Sequence, residues 1–246
     1  MTLVVSLNCK DGLVMGSDGQ ATVGSSGGPI RQPIQKISPI GKKILVSGSG
    51  HVGIIQRYLD GINKFNRDLL QDRLTPELRE KIRRTVFDIM QNEANRHIAF
   101  HKPLKDAGFP HASIPPFSEL LFACLENNGD KKIWRIGADG SDEFLEEVGY
   151  GCIGSGDIFA YTLLRNYEVK ELDTEKGELI VYRVIKEAIK VGAYGLGEPI
   201  DVWRITKDGI DRLSDDEIMA LDNTYGAWIK MEQELFKEIY KKKEEK

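Results

Sequence analysis

Residues 2–9 read TLVVSLNC, and residues 13–17 read LVMGS after the turn Lys10-Asp11-Gly12. Aliphatic and β-branched side chains dominate both runs, and the Asp-Gly step suits a tight reversal. The chain therefore opens on a pair of strands, with Thr2 at the head of the first. A small residue after Met1 favours removal of the methionine, which would leave a free α-amino group beside the Thr2 hydroxyl. That is a nucleophile with its own base: the amine has a reference pKa of about 8, so much of it is unprotonated near neutrality.

The rest of the chain sets the frame for that pairing. It has 246 residues, 41% hydrophobic and 29% charged, with a formal net charge of −4. A sizeable core is within reach of this length, and the sequence reads as a single domain over 1–246. The acidic balance disfavours nucleic acid as a partner, and the basic run at 241–243 is offset at once by Glu244 and Glu245. No apolar run is long enough to span a bilayer, and the N-terminus lacks a signal-peptide pattern. Three cysteines, Cys9, Cys124 and Cys152, sit in mostly apolar surroundings and read as reduced thiols of a cytoplasmic protein. No metal or organic cofactor is called for.

Further along, a Gly/Ser-rich loop is expected at 24–29, then strands at 34–37 and 44–47. Residues 52–101 read as two helices broken near Leu74-Thr75-Pro76, where Thr75 can cap and Pro76 can take the first helical position. Four prolines make 102–117 a loop. Strands are expected at 119–126 and 132–136 across the turn Asn127-Asn128-Gly129, and again near 143–149. Helices follow at 156–167 and 174–193, then a hairpin of 200–206 with 209–213. A C-terminal helix occupies about 214–246, with Ser214 and Glu217 as its capping box. Strands and helices arrive in blocks, which favours an α+β layered fold over an alternating parallel sheet.

Two segments have the form strand, Gly-Ser-Gly, helix: residues 44–58 and 150–161. Gly48-x-Gly50-x-x-Gly53 matches a dinucleotide fingerprint, which would also need a strand ending in an acid about 20 residues on. Asp68 and Asp72 are near that distance but follow no apolar strand. Glycines for tight turns are the plainer reading. His97 and His101, four apart on a helix with His111 beyond, have a spacing that permits metal, without a fixed third ligand. His51 reads as a pocket-wall or surface residue.

The phrase Gly16-Ser17-Asp18-Gly19-Gln20-Ala21-Thr22, the lysine Lys36 ahead of an apolar strand, and the Ile153-Gly154-Ser155-Gly156 turn occur in one order with Thr2. In that combination the chain resembles the proteasome β-subunit and bacterial HslV family of N-terminal-nucleophile hydrolases, over roughly residues 2–202. The resemblance implies a four-layer αββα sandwich and a threonine-type peptidase working in a ring-shaped homo-oligomer on peptide or unfolded protein, with an unfoldase ATPase partner. It implies Thr2 as nucleophile, Lys36 as the cation that eases its deprotonation, Asp18 as that cation's partner, and Ser155 beside the amine. Gly48 would offer the oxyanion N–H, or Gly50 if the alignment slips. Ala21, Thr22, Val46, Ser49 and Gly50 would meet substrate.

The family also carries an aspartate and a serine after its fourth helix. The matching stretch 191–202, VGAYGLGEPIDV, has no serine and only Asp201. Asp157 stands where the family commonly has serine or glycine and reads as a helix cap. A catalytically silent ring subunit, and an N-terminal-nucleophile amidohydrolase or transpeptidase acting on a smaller amide, are the alternatives.

Overall fold

Strands that are apolar on both faces need cover on both faces, and the first strands of this chain are of that kind. The computed structural model describes residues 2–25, 28–65, 73–108, 117–192 and 195–244, with side chains outside 22–31, 104–105 and 240–246. In chain order it contains β1 (Val4–Asn8), β2 (Leu13–Asp18), β3 (Gln20–Ser25), β4 (Gly28–Pro33), β5 (Ile37–Ile40) and β6 (Ile44–Gly50). Then come α1 (Val52–Asn63), α2 (Pro76–Asp106), β7 (Ser118–Leu125), β8 (Lys131–Ile136), β9 (Asp142–Phe144) and β10 (Tyr150–Ile153). The last part holds α3 (Asp157–Leu164), α4 (Thr174–Lys190), β11 (Ile200–Thr206), β12 (Gly209–Arg212) and α5 (Asp215–Glu244).

One antiparallel sheet has the order β10-β1-β2-β11-β12, the other β5-β6-β7-β8-β9, and β3–β4 form a separate hairpin. Alternation along each strand divides the core into three layers. Leu3, Val5 and Leu7 pack under α3 and α4 with Leu164, Val181 and Ile185. Val4, Leu13 and Met15 face Leu45, Leu121 and Ile133 across the gap between the sheets. Ile44, Val46, Leu120 and Phe122 pack under α1 and α2 with Tyr58, Ile82 and Val86. Each such side chain contributes roughly 1.5–3 kcal/mol on burial. The result is the four-layer αββα sandwich expected of the sequence.

Several local expectations hold. Thr75 Oγ1 accepts the Leu78 N–H at 3.2 Å, and Ser214 and Glu217 cap each other reciprocally at the start of α5. The Asn127-Asn128-Gly129 turn joins β7 to β8, with Glu126 N–H on the Asp130 carbonyl at 2.8 Å.

Others are corrected. Within the expected 24–29 loop, Gly24, Ser25, Gly28 and Pro29 are strand, because β3 and β4 pair from Gln20↔Pro33 to Ser25↔Gly28. The expected strand at 34–37 begins only at Ile37, since Ile34, Gln35 and Lys36 leave the hairpin to turn over the site described below. α2 runs through Pro103 to Asp106, for a proline so near a helix end removes only one of the last hydrogen bonds. The expected strand at 143–149 stops at Phe144. A turn closed by Gly149 N–H on the Leu145 carbonyl at 2.9 Å then leads into β10. Asp157 is the first residue of α3, not its cap, which is Gly156. The dinucleotide reading fails on topology: β6 is antiparallel to both its neighbours, so Gly48, Gly50 and Gly53 belong to no βαβ unit. Asp68 and Asp72 lie outside the described residues. No helix among the described residues is long and apolar enough to cross a membrane.

Candidate active site

Asp18 ends β2 with its carboxylate fully buried. Four donors converge on it. Leu3 N–H reaches Oδ1 at 2.9 Å and Lys36 Nζ reaches the same oxygen at 2.6 Å. Gln20 N–H and Gly197 N–H reach Oδ2, each at 3.3 Å. A carboxylate so enclosed is stable only when its lone pairs are filled, and these donors fill them.

Lys36 sits directly before β5, and its carbonyl accepts the Ser47 hydroxyl of β6 at 2.8 Å. That bond fixes the backbone from which the side chain descends to Asp18. Burial pushes the Lys36 ammonium below its usual pKa, an effect that the Asp18 charge and hydrogen bond oppose.

Thr2 is buried at the entrance to β1. Ser155 Oγ donates to the Thr2 carbonyl oxygen at a long 3.5 Å. The intervening turn allows no side chain: Gly154 has φ +103°, and a Cβ there would lie 2.1 Å from the Thr2 carbonyl oxygen.

Thr2 and Lys36 open onto a cavity of about 170 Å³, also lined by Ala21, Gly48, Gly50, Ile34, Ile55 and Leu59. Its walls are mainly apolar, and Lys36 is the charged residue among them. Gly48 faces Ile55, whose side chain a Cβ at Gly48 would meet at 2.7 Å. β5 covers β6 only as far as the pair Ile37↔Ser47, so Gly48–Gly50 has no β5 partner and lies at an open edge.

The structure thus brings Thr2, Asp18, Lys36, Ser155 and Gly48 to one place, with Ala21 and Gly50 on the cavity wall. It separates two of the residues expected to meet substrate. Val46 is fully buried in the layer beneath α1 and α2, because it alternates with Leu45 on the other face of β6. Ser49 turns inward, its Oγ 3.0 Å from where a Gly154 Cβ would stand. Thr22 contributes a β3 backbone position opposite Arg31. Asp201 is committed elsewhere, to Arg212 Nε at 2.7 Å and Trp203 Nε1 at 2.9 Å. The stretch after α4 reaches the site through backbone instead, by Gly197 N–H on Asp18 and by the Gly197 carbonyl, which accepts Gly19 N–H at 3.0 Å.

Sequence reading missed Ser47, Gln20 and Gly197. Gln20 Nε2 donates to the Gly195 carbonyl at 3.0 Å and so ties this loop to the end of β2. Gln20 lies within the 16–22 phrase but carries no role there, and no short motif marks the roles of Ser47 and Gly197, since all three act through long-range pairing. His97 and His101 lie outside the site, their rings 4.1 Å apart, and His111 is outside the described residues.

No family model matches the chain. Among curated proteins it is 27% identical to the proteasome subunit beta of Archaeoglobus fulgidus over 217 residues, 88% of this chain and 91% of the relative. It is 26% identical to that of Methanosarcina barkeri over 220 residues, covering 89% and 93%. Among solved structures it superposes on an Anbu Gly-1 mutant from Hyphomicrobium sp. strain MC1 with TM-score 0.67 and 17% identity, over 96% of this chain and 97% of the other. A helical assembly of the Anbu complex from Pseudomonas aeruginosa gives TM-score 0.73 at 12% identity, over 96% of both. The chain therefore has the proteasome-like N-terminal-nucleophile-hydrolase fold and is similar to proteasome β-subunits along most of its length, a likeness that does not single out HslV.

Proposed function

We propose that this chain is a threonine-type peptidase subunit whose nucleophile is Thr2 once Met1 has been removed. The observation that carries the reading is the buried Lys36–Asp18 pair at 2.6 Å, with Lys36 and Thr2 on the wall of the same cavity. A cation held at that place favours the alkoxide form of a neighbouring hydroxyl.

In this reading the Thr2 hydroxyl oxygen attacks the peptide carbonyl carbon, and the freed α-amino group takes the hydroxyl proton. The oxyanion that forms is met by a backbone N–H of the open Gly48–Gly50 edge. Collapse breaks the C–N bond, the leaving amine takes the proton, and an ester to Thr2 remains. Water then attacks the ester, and the hydroxyl and amine return to their starting states. The substrate lies extended between β3 and the free edge of β6, a β-augmentation contact in which Ala21 and Thr22 take part. Its side chain before the scissile bond enters the apolar cavity, which suits a neutral residue. The subunits work in a ring-shaped or helical assembly in the cytoplasm, fed by an unfoldase ATPase. The similarity to proteasome β-subunits and to the Pseudomonas assembly supports the oligomeric part.

One observation favours a second reading, a silent ring subunit: Asp201, the one aspartate of 191–202, is spent on Arg212 and Trp203. Intact mass decides between them. Loss of Met1 and one adduct from a β-lactone that acylates terminal threonines, absent in Thr2→Ala, supports the peptidase. Retained Met1 without an adduct supports the silent subunit.

A further inference from the structure

Glu119 stands opposite Ser49 in the β6–β7 register, on the face of its sheet that looks toward the other. Its side chain is only 15% exposed. Oε2 accepts Nε and Nη2 of Arg135 at 3.2 and 2.8 Å. Oε1 is thereby aimed away from Arg135, and it accepts the backbone N–H of Gly154 at 3.0 Å. Arg135 is held in turn by Glu143 at 2.9 Å. A carboxylate rooted in one sheet thus grips the turn of the other sheet that leans on the Thr2 carbonyl and carries Ser155.

The geometry points to Glu119 as a positioning residue: its carboxylate, oriented by Arg135, fixes the Gly154–Ser155 turn against Thr2 and so sets the reactivity of the Thr2 hydroxyl. This rests on the reading of Thr2 as nucleophile. A backbone held through one charge-assisted bond moves when that bond is lost, and misplacement of a reacting group by about 1 Å costs roughly a hundredfold in rate. Glu119 is not on the cavity wall. Its loss therefore spares binding of the substrate side chain and falls on the chemical step. A pair that merely stapled the sheets together would change stability and leave Thr2 reactivity alone.

The test uses the full chain with Met1 removed, treated with a β-lactone at several concentrations and followed by intact mass, so that the limiting acylation rate separates from the half-saturating concentration. Amide exchange at the peptide containing Gly154 is followed in parallel. Glu119→Ala is expected to lower the limiting rate by about a hundredfold, leave the half-saturating concentration unchanged, and speed exchange at Gly154. Glu119→Gln keeps an acceptor for the Gly154 N–H and is expected to recover most of the rate. An alanine variant that acylates at the wild-type rate, or whose defect lies wholly in half-saturation, overturns the proposal while the nucleophile reading stands. Should Glu119→Ala fail to fold, Arg135→Met serves: slower acylation with faster Gly154 exchange supports the role, and wild-type acylation overturns it. A wild-type chain without Met1 that forms no adduct overturns the nucleophile reading and the positioning role together, and the wild-type arm identifies that case.

Discussion

Lys36 Nζ and Asp18 Oδ1 meet at 2.6 Å, with the two side chains 7% and 0% exposed. The partners are not equivalent. Asp18 also holds three backbone N–H groups, from Leu3, Gln20 and Gly197. Asp18→Asn removes the charge that the buried ammonium rests on and, keeping one acceptor oxygen, turns an amide donor toward at least one of the three N–H groups. It is expected to cost about 3–5 kcal/mol of unfolding free energy, the range for breaking a buried pair from one side. Lys36→Met keeps the volume and leaves those donors on Asp18, so it costs less. Both variants are expected to lose hydrolysis. Urea unfolding beside a peptidase assay checks this, and a Lys36→Met that is less stable than Asp18→Asn would contradict the account.

The pH dependence has a definite sign. Burial depresses the Lys36 pKa below 10.5, so as pH rises the folded protein gives up this proton before the unfolded chain does. In the window between the two values the unfolded state binds more protons, and the Lys36 contribution makes stability rise with pH. Activity runs the other way, because the discharged amine no longer favours the Thr2 alkoxide. The alkaline limb of kcat/KM is therefore expected below the pH at which an ordinary lysine titrates. A pH–rate profile that stays flat up to the ordinary lysine range would speak against a charged Lys36 in the reaction.

The blocks of long apolar strands and of helices disclosed a layered α+β fold, and the resemblance carried by Thr2, Asp18 and Lys36 implied the four layers and the site. The sequence did not disclose where β5 begins. Ile34 and Gln35 are as strand-like as Ile37, and only the pairing Ile37↔Ser47 settles the boundary. The same lack of pairing information hid Val46 in the core while Gly48, two residues on, reaches the cavity. Glu119 and Arg135 are sixteen residues apart and look like ordinary surface charges until β7 and β8 are laid side by side. Gly197 acts through its backbone N–H and carbonyl, groups that every residue but proline carries, so residue type is no guide.

Gly48 carries a prediction about selectivity. A Cβ there would meet Ile55 Cγ2 at 2.7 Å inside a cavity of about 170 Å³. Gly48→Ala leaves the backbone N–H in place but narrows the space for the substrate side chain. KM for peptides with leucine or phenylalanine before the scissile bond is expected to rise roughly tenfold, a contact effect of about 1–3 kcal/mol. Peptides with alanine there should keep both kcat and KM. An equal loss for both peptide types would show that Gly48 serves the chemistry and not the fit.

Asp201 supplies the sharpest contrast with the family pattern. Its oxygens are taken by Arg212 Nε at 2.7 Å and Trp203 Nε1 at 2.9 Å, which ties β11 to β12 and leaves the carboxylate paired away from Thr2. Arg212 is half exposed, so solvent screens part of this pair. Asp201→Asn keeps an oxygen for one donor and presents an amide to the other. It is expected to lower unfolding free energy by about 1–2 kcal/mol, a hydrogen bond to a charged group weakened by that screening, while β-lactone acylation of Thr2 proceeds at the wild-type rate. Denaturation and intact-mass kinetics on the same preparation separate the two effects. An Asp201→Asn protein of normal stability that no longer acylates would return this residue to the reaction, with its present partners released when substrate binds.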